Sequence, residues 1–181
     1  MEIKVQKPKD YIIQFVGLNI GEHLFEFSIN DKFFEDIDYS EIKQCNLQVK
    51  LLLLKQSTMM VLNFEISGTV NIDCDRCTAE YDLPLEGSYK LIVKVGGRDA
   101  GNEEDDIITL SANEHELDLS QYLYEYISLS MPIKRAHPDN AEGNSTCDKE
   151  MLEKLSDFLT EEEKEEMQDP RWDELKNINL N

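Results

Sequence analysis

The run Met60-Val-Leu-Asn-Phe-Glu-Ile-Ser-Gly-Thr-Val-Asn-Ile72 decides how the rest of the chain is read. Met60, Leu62, Phe64, Ile66, Val70 and Ile72 share one parity, while Asn63, Glu65, Ser67, Thr69 and Asn71 share the other. Such regular alternation describes a strand with one buried face and one wet face, and it argues for an antiparallel sheet. Gly68 interrupts the pattern, so a bulge or bend is expected there. Upstream, residues 46–55 place Leu47, Val49, Leu51 and Leu53 on one face and Gln48 and Lys50 on the other. Downstream, Tyr81, Leu83 and Leu85 lead into Tyr89, Leu91, Val93 and Val95, again alternating with polar residues.

Weaker signals flank this centre. Residues 11–16 and 22–29 read as two strands, with Gly17 and Gly21 bracketing the turn between them. Phe33, Phe34 and Ile37 suggest a short helix or an irregular link, and residues 107–110 a short edge strand. The period then changes: Leu119, Tyr122, Leu123, Tyr126 and Ile127 follow helical spacing, with Asp118 as N-cap and Pro132 as stop. Its tyrosines share a stripe with leucines, so they read as core and boundary residues rather than a platform for stacking bases. A polar connection over residues 134–146 precedes a second amphipathic helix marked by Met151, Leu152, Leu155, Phe158 and Leu159, with Ser145 or Thr146 as its cap. Thr160 and Glu163 form a capping-box pattern, and Asp169-Pro170 restarts a helix carrying Trp172, Leu175 and Ile178.

These signals predict an α+β fold: an antiparallel, strongly twisted or partly barrel-like sheet with packed helices and a helical acidic C-terminal tail. A β-rich core with one packed helix is expected over residues 1–135, and the polar connection with the C-terminal helices over residues 136–181.

The 181 residues carry a formal net charge of −20. An autonomous nucleic-acid binder neutralises phosphates with Lys and Arg, so this balance disfavours an unspecific grip on RNA. Lys90, Lys94 and Arg98 are the nearest approach to a local basic patch. The acid is either a solubilising surface or one that receives a basic protein. Neither a membrane span nor an apolar signal segment is visible, and a cytoplasmic setting is expected, in which four cysteines are reduced or metal-bound.

Cys74-Asp75-Arg76-Cys77 follows the deciding run directly. A redox Cys-x-x-Cys of the thioredoxin kind opens a helix, whereas the residues after Cys77 look extended, the context of a metal knuckle. Its distant partners are His137 and Cys147. The resulting Cys3His set suits a structural, tetrahedral zinc ion and would staple the later segment to the sheet across about sixty residues of chain. Spacing alone leaves the competing reading open: two exposed thiols, a surface histidine and an unrelated cysteine. Cys45 shares parity with Leu47 and Val49 and reads as a core thiol. No phosphate loop, nucleophile elbow or helical histidine pair is present, so catalytic chemistry is poorly supported and no small-molecule substrate is expected.

Several of these features together resemble the YceD family of large ribosomal RNA subunit accumulation proteins. They are the Cys74-Asp-Arg-Cys77 knuckle after a long strand, the Leu-Ser-Met-Pro ending at Pro132, His137, Cys147 and Asp169-Pro-Arg-Trp172 with Leu175. Thr78 departs from the apolar residue or glycine that usually follows the second cysteine in the family. The resemblance implies a bacterial, cytoplasmic, non-enzymatic ribosome-biogenesis factor supporting accumulation of large-subunit (23S) ribosomal RNA. Its expected partner is a ribosomal protein or large-subunit precursor. Two other functions compete with it: a Cys-x-x-Cys redox or metal-handling protein, and a general interaction module docking through Trp172 and Leu175.

Overall fold

The computed structural model describes residues 5–6, 11–35, 37, 40–96, 106–140 and 142–159. The chain divides into two compact units, Met1–Arg135 and Ala136–Asn181. The expected capping box, the second helix restart, Trp172, Leu175, Ile178, Arg98 and the acidic residues 103–105 lie outside the described residues, as does the whole tail from 160.

The first unit is built on three long antiparallel strands: β4 (Gln44–Lys55), β5 (Met59–Asp73) and β6 (Glu80–Val95). The register places Leu47 opposite Gly68 and Gly68 opposite Leu85, so pairing is continuous through the glycine and the expected bulge is absent. Glycine is needed there for a different reason. Its φ is +146°, and a Cβ would lie 2.2 Å from the Asn46 carbonyl oxygen, so only a residue without a side chain permits this close strand approach. The predicted inner face is the core: Leu47, Val49, Leu51, Leu53, Leu62, Phe64, Ile72, Leu91 and Val93 are buried. Strand β6 runs unbroken through Pro84, which pairs only with Thr69 because the next strand does not reach that far. A proline is tolerated where a strand has one open side.

Further strands extend the sheet on both sides. β3 (Gly21–Asn30) pairs antiparallel with β4, and β1 (Val5–Gln6) lies parallel beyond it. On the other side β7 (Ile107–Leu110) pairs parallel with β6. The order β1-β3-β4-β5-β6-β7 is therefore an open, mixed sheet, antiparallel at its centre and parallel at both edges, and not a closed barrel. The expected strand over 11–16 shortens to β2 (Ile12–Ile13), paired with β8 (Leu117–Asp118). It ends because the chain turns at 15–18, where the Lys55 ammonium donates to the carbonyls of Phe15 and Leu18 at 2.7 and 2.8 Å. A short helix, α1 (Lys32–Glu35), follows β3 and buries Phe34.

Helix α2 (Ser120–Ser130) covers the inner face of β6. Leu123, Tyr126 and Ile127 are buried along the predicted stripe. The Tyr126 ring stacks on Tyr89 at 4.5 Å and meets Phe64 edge-on at 5.2 Å. Gly87 lets the helix end approach the strand, since a Cβ there would lie 2.2 Å from the Ser130 Oγ. The N-cap is Leu119 rather than Asp118, because the Leu119 N–H is drawn to the Tyr11 carbonyl at 3.1 Å. The Asp118 carboxylate still accepts the Ser120 N–H at 2.8 Å. The helix ends at Met131, whose extended backbone is the conformation favoured before Pro132.

In the second unit, Asp139 and Ser145 form an antiparallel bridge around a turn in which Asn140 Oδ1 accepts the N–H groups of Glu142 and Asn144. Helix α3 (Lys149–Leu159) is capped by Asp148, which accepts from Glu150 N and Met151 N, and not by Ser145 or Thr146. Those two are otherwise engaged: Ser145 Oγ accepts Cys147 N–H, and Thr146 Oγ1 donates to the Pro138 carbonyl.

Candidate metal centre

Strand β5 ends at Asp73, and the next six residues form the turn that returns the chain into β6. The turn is closed by two backbone bonds, Cys74 N–H to Ala79 O at 3.0 Å and Thr78 N–H to Cys74 O at 2.9 Å. Within it the Arg76 N–H points at Cys74 Sγ, 3.4 Å away. The thiolate is the form of cysteine that binds a metal. Cys74 and Cys77 are 1% and 2% exposed, which contradicts the reading of two exposed thiols.

Thr78 pays a conformational cost for this turn. Its φ of 59° lies in the left-handed region, which is strained for a β-branched residue. Its hydroxyl donates to the Cys77 carbonyl at 2.7 Å. A glycine after the second cysteine would be free of that strain, which gives the departure at Thr78 a structural meaning.

The knuckle is strapped from within its own unit by Arg135. Asp75 N–H donates to the Arg135 carbonyl and Arg135 N–H donates to Asp75 Oδ2, both at 2.7 Å. The Arg135 guanidinium also reaches Asp75 Oδ1 at 3.3 Å and pairs with Glu41. The hydrogen bond donated to Glu41 is the main influence raising the guanidinium pKa above its ordinary value. Glu41 is 64% exposed, so the ion pair itself adds only about 0–1 kcal/mol. The two bonds made by the Arg135 backbone are what fix the strap. Nearby, Lys43 bridges Asp73 and Glu80 across the strand ends at 2.8 and 2.7 Å.

The second unit holds the other expected ligands. Cys147 is buried and His137 is half-buried. Their nearest ligand atoms, Cys147 Sγ and His137 Nδ1, lie 3.8 Å apart. Two tetrahedral ligands at ~2.3 Å (sulfur) and ~2.1 Å (nitrogen) from a shared zinc would be roughly 3.6 Å apart. The pair therefore has the spacing of two ligands of one ion, with Nδ1 as the histidine donor.

Cys45 belongs to neither group. It lies on the buried face of β4, as its parity predicts, with its N–H on Asp31 Oδ1 at 2.7 Å. Burial, and then the Asp31 charge, push its thiol up to about 11. His23 Nε2 lies 2.8 Å from the Asn19 carbonyl, and His115 is exposed. The spacing of Cys74 and Cys77 was visible in the sequence, whereas Arg135 carried no signal: its role depends on a contact with Asp75 sixty residues away.

An open mixed sheet with a thiol knuckle beyond its longest central hairpin defines a knuckle-bearing α+β domain. The chain belongs to the family described as large ribosomal RNA subunit accumulation protein YceD, whose model matches residues 62–179. That span begins within β5 and includes the knuckle, α2, His137 and Cys147. No curated protein and no solved structure matches the chain. Among the described residues, no helix is long and apolar enough to cross a membrane.

Proposed function

We propose that this protein is a non-enzymatic ribosome-biogenesis factor that supports accumulation of large-subunit (23S) ribosomal RNA by binding a basic ribosomal protein or precursor. The family match over residues 62–179 carries the reading. The formal charge of −20 supports a protein partner over bare phosphate, because electrostatic attraction then favours a cationic surface.

In this reading Cys74, Cys77, His137 and Cys147 hold one structural zinc ion. Each residue offers one ligand atom, and three of the four are buried. Chain connectivity supports the set. Arg135 is bonded to Asp75, between the two cysteines, and His137 follows two residues later, within roughly 7 Å of extended chain. Cys147 accompanies His137 in its own unit. Four protein ligands leave no open position, so the ion would be structural rather than a Lewis acid. A redox role has less support: the residues after Cys77 lead into β6, so the Cys-x-x-Cys does not open a helix whose N-terminus could lower a thiol pKa.

The test is the ratio of large- to small-subunit ribosomal RNA in cells depleted of the protein, with a gradient profile of their subunits. The expected outcome is a selective fall in large-subunit RNA, restored by the wild-type chain. An unchanged ratio removes the biogenesis reading.

A further inference from the structure

Strand β7 is the last strand of the sheet order, and its sequence, Ile-Ile-Thr-Leu, is unusual for that place. Edge strands are ordinarily protected by charge, proline or a bulge. β7 has none of these, and all four of its residues are partly exposed. It is also apolar on both faces. Ile107 continues an outer-face row of half-exposed residues across the sheet, Leu54, Val61 and Ile92, each in register with the next. Ile108 and Leu110 point to the inner side, in register with Val93 and Val95. A strand that is apolar on both faces reads as internal.

The free edge can be assigned bond by bond. Ile92 N–H donates to the Asp106 carbonyl, and Gly96 N–H donates to the Leu110 carbonyl. In a parallel ladder with Ile92 opposite Ile107 and Lys94 opposite Thr109, the even-numbered residues of β7 face β6. The N–H and C=O groups of Ile107 and Thr109 therefore point away from the sheet, and no other described strand pairs with them.

Charge selects what can pair there. Asp106 at the start of β7, and Glu114 and Glu116 shortly after its end, are exposed carboxylates. Lys94 lies one strand further in, opposite Thr109, so along the sequence the negative charge flanks the strand rather than falling within it. We propose that the free edge of β7 is a strand-addition site for an extended segment of a basic protein, with β-branched or apolar residues at its centre and Lys or Arg at both ends. Backbone pairing with Ile107 and Thr109 supplies affinity, and the acidic ends supply selectivity. Another copy of this chain is disfavoured, because each copy would bring the same acid to the contact. The inference rests on the proposed function and names the surface by which the basic partner is held.

Thr109→Pro tests it. Proline removes an N–H that faces away from β6, so the β6–β7 ladder is retained, while an added strand loses a hydrogen bond and meets the ring. The probe is a synthetic peptide with a central Val-Thr-Ile-Val run and Lys-Arg pairs at both ends. The controls are the same peptide with glutamate ends and one with prolines in the central run. On the full-length protein, the expected result is at least tenfold weaker binding to Thr109→Pro at unchanged melting temperature, and equally weakened binding of both control peptides. Equal binding to wild type and Thr109→Pro, equal binding of the proline-bearing peptide, or dimerisation through this edge in place of peptide binding would overturn the site. Asp106→Asn with Glu114→Gln keeps the edge, and should weaken binding and flatten its salt dependence. In cells, full rescue of ribosomal RNA by Thr109→Pro would reject this edge while keeping the proposed function. No RNA defect on depletion would reject the function itself.

Discussion

Cys45 and Cys74 are both buried thiols of one sheet, near the start of β4 and just past the end of β5, yet their surroundings differ. Cys45 lies in a regular ladder opposite Val70, its own N–H is spent on Asp31, and burial with that carboxylate keeps its proton on. Cys74 lies where the ladder stops, and the turn directs the Arg76 N–H at its sulfur. Burial alone therefore makes an inert thiol. At Cys74 the backbone has left the sheet, which opens the thiol to the ligand role proposed above.

The largest expected effect tests this contrast directly. On the zinc reading proposed above, Cys74→Ser should abolish zinc binding and destabilise the protein by about 5 kcal/mol or more, since a structural zinc supplies of the order of 10 kcal/mol. Cys45→Ala should retain the full metal content and cost about 1–2 kcal/mol, the range of a modest core truncation. Zinc per chain after purification without chelators, together with denaturant unfolding, measures both. Equal zinc loss from the two variants would break the comparison.

A smaller effect comes from pH. The Cys45 thiol is neutral when protonated, and its folded value of about 11 lies above the ordinary 9.0. Between those values the unfolded chain releases a proton that the folded chain retains. The stabilisation is therefore complete below pH 9 and is lost as pH rises towards 11, by at most about 2–3 kcal/mol. Tyr126 behaves similarly over a higher window, since burial, followed by the Asp106 charge, pushes its hydroxyl from 10.0 to about 12. Cys45→Ala should thus flatten the stability profile between pH 9 and 10 and leave the steeper loss above pH 10. A profile identical to wild type would show that the thiol ionises as freely in the fold as outside it.

The same division separates what could be read in the sequence from what could not. The inner faces of β4, β5 and β6 were legible because period-2 alternation is a direct record of which residues are buried. The parallel edges were not, because strand direction is set by the connections, which carry no periodicity. Both helix caps were placed too early or on the wrong residue. Leu119 is fixed by its bond to Tyr11, and Asp148 is left to cap α3 because Ser145 is already holding the Cys147 turn. In the site, a local spacing disclosed Cys74 and Cys77. The strap from Arg135 to Asp75 was hidden, because it exists only once the sheet and α2 have brought distant residues together.

Thr78 sharpens the comparison at its smallest scale. In the sheet, the positive φ at Gly68 is occupied by the residue that tolerates it, whereas at the knuckle the positive φ at position 78 is occupied by a β-branched one. A non-glycine residue held in this way stores of the order of 1–3 kcal/mol. Thr78→Gly removes that strain, but gives up the hydroxyl bond to Cys77 O and adds freedom to the unfolded chain. The balance should be a gain of about 1 kcal/mol, measured by denaturant unfolding with zinc content unchanged. A loss of stability would mean that the hydroxyl bond, rather than the turn's backbone bonds, holds Cys77 in place.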